Sequence, residues 1–170
     1  MTEAGLRQHY ARLNTAEPAA SGLSLLHIDA QESHLLNGES GSEPNCFVLA
    51  AGAQVIGRRH FQHMPPSALA LEEAIAVVED QLAPLARQLR PAARLHLLLA
   101  ADAALQPLFA GREWLSREAV EQQFRLLAEV AEGFPLSASG LPDDASFAAS
   151  LLILREVMHH LGFAELVRVR

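Results

Sequence analysis

The sequence has 170 residues, which fits one domain over residues 1–170, and its apolar fraction of 50% excludes a disordered chain. Thirteen basic residues against 20 acidic ones give a formal net charge of −7, which opposes binding to nucleic-acid phosphates or to an anionic membrane surface. Lysine is absent, so Schiff-base, P-loop and kinase chemistries that need a lysine are excluded.

Cysteine usage and the lack of targeting segments predict the compartment. Cys46 is the only cysteine, so neither a disulfide within the chain nor a multi-cysteine zinc site can form. The first residues lack the apolar core of a signal peptide, and no apolar run approaches the length of a membrane span. We therefore expect a cytoplasmic protein. Because no dinucleotide, nucleophile-elbow or zinc-protease motif is present, we expect no cofactor.

The first predicted element is a helix over residues 2–13. Leu6, Tyr10 and Leu13 recur at steps of four and three, which is the spacing of one helix face. A stretch rich in Ala, Pro and Ser follows it. We expect residues 1–22 to form a loosely attached helix and linker.

Three strands are predicted next, and together they form an antiparallel meander. Leu23–Asp29 and Cys46–Ala51 are apolar runs of strand length. Gly52 and Ala53 then favour a two-residue hairpin turn, which makes Gln54–Phe61 the third strand.

A long helix and a fourth strand follow the meander. Ser67 is a helix cap, and leucines and other apolar residues continue at helical spacing to Leu89. Pro84 lacks an amide hydrogen, so the helix is expected to kink or break near Ala83. The remaining predicted elements are a buried strand over Leu95–Ala100, a helix from Ser116 to Gly133, a helix from Asp143 or Asp144 to Leu161, and an edge strand over Leu166–Val169. This order predicts an α/β (α+β layered) domain in which three main helices pack on the meander and the fourth strand.

Four polar residues fall within or beside predicted apolar helix faces and are candidate ligand-binding residues. Arg155 and His159 lie inside the apolar arc of the last helix, and Glu72 and Glu79 border the leucine stripe of the first long helix. Because an unpaired buried charge costs several kcal/mol, we predict an ion pair between Arg155 and Glu72 or Glu79. The pair either ties two helices together or forms part of a site that binds a carboxylate or phosphate.

Two histidines are a candidate metal site. His60 and His63 leave the predicted third strand just before the helix that carries Glu72, and imidazoles near a carboxylate bind transition metals. The alternative is a chance pairing among eight histidines. His159 and His160 are adjacent on a helix, where they diverge by about 100° and are poorly placed to share a metal.

The order of elements and acids is also similar to that of ribonuclease-H-like nucleases. Asp29, Glu72, Asp102 and Asp143 or Asp144 follow or precede elements as the acids of that fold do. The resemblance implies two magnesium ions serving phosphoryl chemistry. The chain departs from the pattern because its final strand follows the last helix and a basic substrate-binding surface is missing.

Two classes of function remain open at this point. The first is a non-catalytic soluble binding or accessory protein that acts through a protein partner or through self-association as a homodimer, favoured by abundant apolar surface and the lack of a catalytic motif. The alternative is a small metal-dependent hydrolase or another enzyme with an acid/His/Arg pocket.

Overall fold

The computed structural model describes residues 1–16, 22–39, 41–89, 92–99 and 103–169. Within these ranges the chain forms a six-stranded sheet and seven helices. The elements are α1 (Glu3–Ala16), β1 (Leu23–Ile28), β2 (Ser33–Gly38), β3 (Asn45–Leu49), α2 (Ala53–His60), α3 (Ala68–Leu82), β4 (Arg94–Leu98), α4 (Gln106–Phe109), β5 (Trp114–Ser116), α5 (Arg117–Ala131), α6 (Leu136–Ser139), α7 (Ala145–His160) and β6 (Glu165–Val169).

The sheet has the strand order β3-β2-β1-β4-β6-β5. β1, β2 and β3 form an antiparallel meander, and β4 lies parallel to β1 on the other side. β6 is parallel to β4, and the short β5 closes the edge antiparallel to β6. The predicted fold class, a layered α/β domain with a meander and a fourth strand, is confirmed.

The predicted hairpin at Gly52 and Ala53 is wrong, because the segment assigned to the third strand folds as helix α2. The Ala53 amide donates to the Asp29 carbonyl at 2.9 Å, and the next two amides donate to the Ala30 carbonyl at 2.9 and 3.2 Å. The otherwise unpaired first amides of the helix are thus bonded to a distant loop. An eight-residue run fits either a strand or a helix, and this non-local contact favours the helix.

The sequence analysis missed two strands, the short β5 and the longer β2, whose six residues are all buried. Its polar side chains find buried partners: the Ser33 hydroxyl donates to the Ala51 carbonyl at 2.6 Å, and the Asn37 amide donates to the Ser24 hydroxyl at 2.9 Å. Because these side chains are polar, the segment lacks the apolar pattern by which a buried strand is predicted. The last strand is also not an edge, since β6 lies between β4 and β5.

The predicted helix ends are confirmed except that of α1, which continues to Ala16, three residues past its predicted end. Ser67 accepts a hydrogen bond from the Ala70 amide at 3.2 Å, and α3 ends at Leu82, two residues before Pro84. Ser116 and Asp144 cap the starts of α5 and α7. After α7, Gly162 adopts the left-handed backbone conformation, and the Phe163 amide donates to the Met158 carbonyl at 3.0 Å.

Helices cover both faces of the sheet. The larger core lies under α2, α3, α5 and α7, and α7 is its centre, since every residue from Phe147 to Leu154 is buried. On the opposite face, Leu6 and Tyr10 of α1 are buried against β1 and β2. The predicted loose attachment of residues 1–22 stays a prediction, and residues 17–21 lie outside the described ranges.

Among the helices described, none has both the length and the apolar character needed to cross a membrane.

Candidate functional site

A cleft of ≈ 690 Å³ lies at the carboxyl ends of β1 and β4. We call it the β1/β4 cleft; its polar lining comprises His27, Asp29, Gln54, Asp144, Ser146 and Ser150. From β1 the chain turns to β2 and β3 on one side, and it later returns to β4 on the other. In open α/β sheets, ligands bind at such a switch point, outside the carboxyl ends of the strands.

Asp29 follows β1 directly and is held as a carboxylate. Its Oδ1 accepts from the Ala30 amide at 2.7 Å, and its Oδ2 accepts from the Met1 amino group at 2.7 Å. The hydrogen bond from the amino group, followed by that from the Ala30 amide, lowers the pKa of Asp29 to about 2. Asp29 is therefore ionised at neutral pH, and it forms an ion pair with the Met1 amino group, which also lines the cleft.

His27 lies beside Asp29 at the inner end of the cleft and is buried. Its Nδ1 is 3.4 Å from the Leu98 carbonyl oxygen, which can only accept, so Nδ1 carries the proton. Nε2 then presents a lone pair 3.5 Å from Asp29 Oδ2, and it has no hydrogen-bond partner within the described ranges. Asp29 Oδ2 also accepts from the Met1 amino group, so Nε2 is the acceptor that is available to a water molecule or another donor in the cleft.

The opposite wall of the cleft is the amino-terminal end of α7. Asp144 caps this helix by accepting from the Ser146 amide at 2.7 Å, and Ser146 and Ser150 line the wall one turn apart. A helix amino terminus carries partial positive charge, and the Asp144 carboxylate compensates part of it.

A second group of polar residues crosses α5, α7 and α3, and it contains three of the predicted ligand-binding residues. Arg155 forms an ion pair, as predicted, but the predicted partners are wrong. Its Nε is 3.1 Å from Glu121 Oε2 on α5, and its Nη1 is 2.6 Å from Glu156 Oε1. Burial acts to lower the pKa of Arg155, but the hydrogen bond and charge of Glu156, and then those of Glu121, raise it above its ordinary value. Arg155 faces α5. Helical spacing in the sequence shows which face of α7 carries Arg155, but it does not show which neighbouring helix packs on that face.

His159 and His160 occupy the other end of this group. His159 Nδ1 is 3.3 Å from Glu121 Oε1, and the side chain is exposed. His160 Nε2 lies 3.0 Å from Glu79 Oε1 and 3.3 Å from Glu156 Oε2. Glu79 of α3 therefore contacts His160 of α7, whereas Arg155 pairs with Glu121 and Glu156.

The remaining predicted site residues lie apart. Glu72 and His63 are exposed, and neither lines the β1/β4 cleft. His60 is buried, with Nδ1 3.7 Å from Glu73 Oε2. Within the described ranges, one group of three side chains has metal-ligand geometry, and it contains neither His60 nor His63. Asp102 lies outside the described residues.

Sequence reasoning missed several residues of these sites, His27, Glu121, Glu156 and His160 among them. His27 lies inside a strand, and only the parallel pairing of β1 with β4 places it beside Leu98 and the cleft. Glu156 and His160 are four apart on α7 and so share one face. Helix α7 is apolar on almost all sides, and this pattern predicts that an acidic residue on it is buried.

No protein-family model matches the sequence, and no curated protein matches it. The fold is nevertheless similar to solved structures. A PPX-GPPA enzyme of Aquifex aeolicus superposes with a TM-score of 0.71 at 12% identity, over 94% of this chain and 56% of that chain. An exopolyphosphatase from Cytophaga hutchinsonii gives 0.67 at 13% identity, over 94% and 56%. An exopolyphosphatase-like protein gives 0.64 at 12% identity, over 87% and 55%.

These neighbours correct the first functional interpretation. A PPX-GPPA enzyme and an exopolyphosphatase are among them, which contradicts the predicted non-catalytic protein-binding role. The predicted protein partner or self-association stays a prediction. The likeness establishes the α/β fold, and the chain spans little more than half the length of the structures it resembles.

Proposed function

We propose that this chain is a metal-dependent hydrolase that cleaves phosphoanhydride or phosphate-ester bonds in the β1/β4 cleft. The observation that carries the proposal is the juxtaposition of His27 Nε2 and Asp29 Oδ2, 3.5 Å apart at the switch point of the sheet. The structural neighbours include an exopolyphosphatase and a Ppx/GppA phosphatase, and their activities suggest the substrate class.

The charge of the cleft determines how an anion would be held. Its described lining contributes two carboxylates, those of Asp29 and Asp144, one ammonium group, that of Met1, and no arginine. The lining is negative on balance and repels a phosphate, so we infer that a divalent cation would bind together with the substrate and that Asp29 and Asp144 would help to hold it. Magnesium is commonly bound by one or two carboxylates together with substrate phosphates. When bound, such a cation neutralises charge that develops on the transferred phosphoryl group.

The residues fit this role because each carboxylate oxygen offers two lone pairs. Asp29 uses one acceptor position for the Ala30 amide and another for the Met1 amino group, and Asp144 uses one for the Ser146 amide. Further acceptor positions therefore remain available for a cation. The low pKa of Asp29 keeps its carboxylate ionised throughout the neutral range.

His27 supplies the proton chemistry. With its proton on Nδ1, its Nε2 can take a proton from a water molecule that attacks phosphorus. The Leu98 carbonyl fixes the ring orientation, and Asp29 stabilises the imidazolium that forms. Ser146 and Ser150 offer hydroxyl donors to substrate oxygens from the opposite wall.

The experiment measures phosphate release from polyphosphate and from pyrophosphate in the presence of MgCl₂. His27→Asn is expected to reduce the rate by about 100-fold or more, which is the usual contribution of a general base. The matched control is His34→Asn, since His34 is equally buried, pairs with His27 across β1 and β2, and does not line the cleft. Circular dichroism shows that each variant folds. A wild-type chain without cation-dependent phosphate release, or equal rates in His27→Asn and the wild type, would contradict the proposal.

A further inference from the structure

A buried carboxylate on α7 faces a histidine and a second carboxylate. Glu156 is completely buried, and its Oε1 accepts from Arg155 Nη1 at 2.6 Å. Its Oε2 has no hydrogen-bond donor among the residues that the structure describes. That oxygen lies 3.3 Å from His160 Nε2, whose proton is directed to Glu79 Oε1 at 3.0 Å. A buried carboxylate oxygen without a donor costs free energy.

We propose that Glu79, Glu156 and His160 bind a divalent transition-metal ion such as zinc. The three ligand atoms lie within 4.8 Å of one another. Ligand atoms about 2.1 Å from a tetrahedral zinc are about 3.4 Å apart, which is close to the two separations given above. A metal on His160 Nε2 replaces the proton of that nitrogen and provides a positive partner for both carboxylates at once.

The charges around the site also favour a divalent cation. The connected group contains three carboxylates, those of Glu79, Glu121 and Glu156, and one guanidinium, that of Arg155. With neutral imidazoles its net charge is −2, which one divalent ion balances. Arg155 orients the Glu156 carboxylate from behind, as residues outside a metal's ligand shell commonly do.

Ligand chemistry and access determine the class of metal. One imidazole with two carboxylates suits zinc, cobalt or manganese better than magnesium or calcium, which prefer oxygen ligands alone. Glu156 and His160 are four apart on one helix, and α3 contributes Glu79 from the facing helix. The His160 side chain is 32% exposed and that of Glu79 is 43% exposed, so an ion can enter from solvent.

The experiment is a titration of the untagged, chelator-treated chain with Co²⁺, followed by visible absorption, and with Zn²⁺, followed by equilibrium dialysis. The variant is His160→Gln, and the matched control is His159→Gln, because His159 is the adjacent exposed histidine and lies outside the trio. The wild type and the control are expected to bind one equivalent. His160→Gln is expected to weaken binding at least about 100-fold, since even residues behind metal ligands change affinity by 10- to 100-fold.

Two further variants keep the outcomes distinct. Glu79→Gln, also at a solvent-accessible position, is expected to lose the same equivalent of metal. His27→Asn removes the histidine of the β1/β4 cleft and is expected to leave this equivalent in place. The proposal is overturned if the wild type binds no stoichiometric metal, or if His160→Gln and Glu79→Gln bind it as the wild type does. It is also overturned if the equivalent disappears only with His27→Asn, which would assign the metal to the cleft.

Discussion

Removal of Arg155 would leave a buried carboxylate without its cationic partner. Arg155→Met keeps most of the side-chain volume but removes the guanidinium that donates to Glu156 Oε1 and Glu121 Oε2. Breaking a buried ion pair from one side costs about 3–5 kcal/mol. Because the Arg155 side chain is 20% exposed and water can partly replace it, we expect the lower end, about 3 kcal/mol.

The assay is urea unfolding at pH 7, followed by circular dichroism, with a thermal scan beside it. For a chain of this size, 3 kcal/mol corresponds to a fall in Tm of about 6–12 °C. The matched control is Arg125→Met, since Arg125 is exposed on α5, and its effect is expected within about 0.5 kcal/mol.

A second substitution isolates the cause of this loss. Glu156→Gln removes the charge that Arg155 neutralises, so the double variant is expected to be more stable than the sum of the two single effects predicts. A cost below about 1 kcal/mol for Arg155→Met, or simple additivity in the double variant, would refute the reasoning.

Three further predictions concern the cleft and the core. In Gly52→Ala the new Cβ would lie 2.3 Å from the Gln31 carbonyl carbon, so we expect a loss of at least about 2 kcal/mol in urea unfolding. Gly57→Ala, inside α2, is the contrasting case: its Cβ would lie 3.6 Å from the Ala145 carbonyl oxygen of α7, and a gain of about 0.5–1 kcal/mol is expected. Because folding lowers the pKa of Asp29 from 3.8 to about 2, its stabilisation is present above pH 4 and is lost as the pH falls towards 2. At pH 7 the wild type is expected to be about 1 kcal/mol more stable than Asp29→Asn, a figure that is reduced for solvent screening because the Asp29 side chain is 40% exposed. Unfolding curves taken down to pH 3 are expected to show this difference shrinking, and a difference that stays constant would contradict the prediction. Phe147→Ala in the first turn of α7 is expected to cost about 3–5 kcal/mol, measured by the urea midpoint, and a cost below about 1 kcal/mol would contradict the packing described for this helix.

Local signals in the sequence predict much of the fold. The caps at Ser67, Ser116 and Asp144 and the end of α3 before Pro84 depend on neighbouring residues, and all were found where expected. Helix α2 depends on carbonyl groups of the loop after β1, more than twenty positions earlier in the chain, and no local pattern could reveal that contact.

The candidate sites were harder to predict because they depend on tertiary contacts. Asp29 was identified as an acid at a strand end, and it does line the cleft. The prediction for α7 assumed that the helix has one apolar face and one solvent-exposed face, but this helix is buried on nearly all sides. It therefore placed Arg155 correctly in the interior and overlooked Glu156, which is completely buried.

The most direct test of the central claim is a Mn²⁺ titration of the His160→Gln variant in the presence of pyrophosphate, followed by ¹H–¹⁵N NMR. This variant removes the histidine of the second proposed metal site, so paramagnetic broadening reports on the β1/β4 cleft. We expect the amide signals of Ala30, Leu99 and Ser146, which line the cleft, to broaden first. Broadening that begins elsewhere, or signals that do not respond to the ion with pyrophosphate, would contradict a metal–phosphate site at the carboxyl ends of β1 and β4.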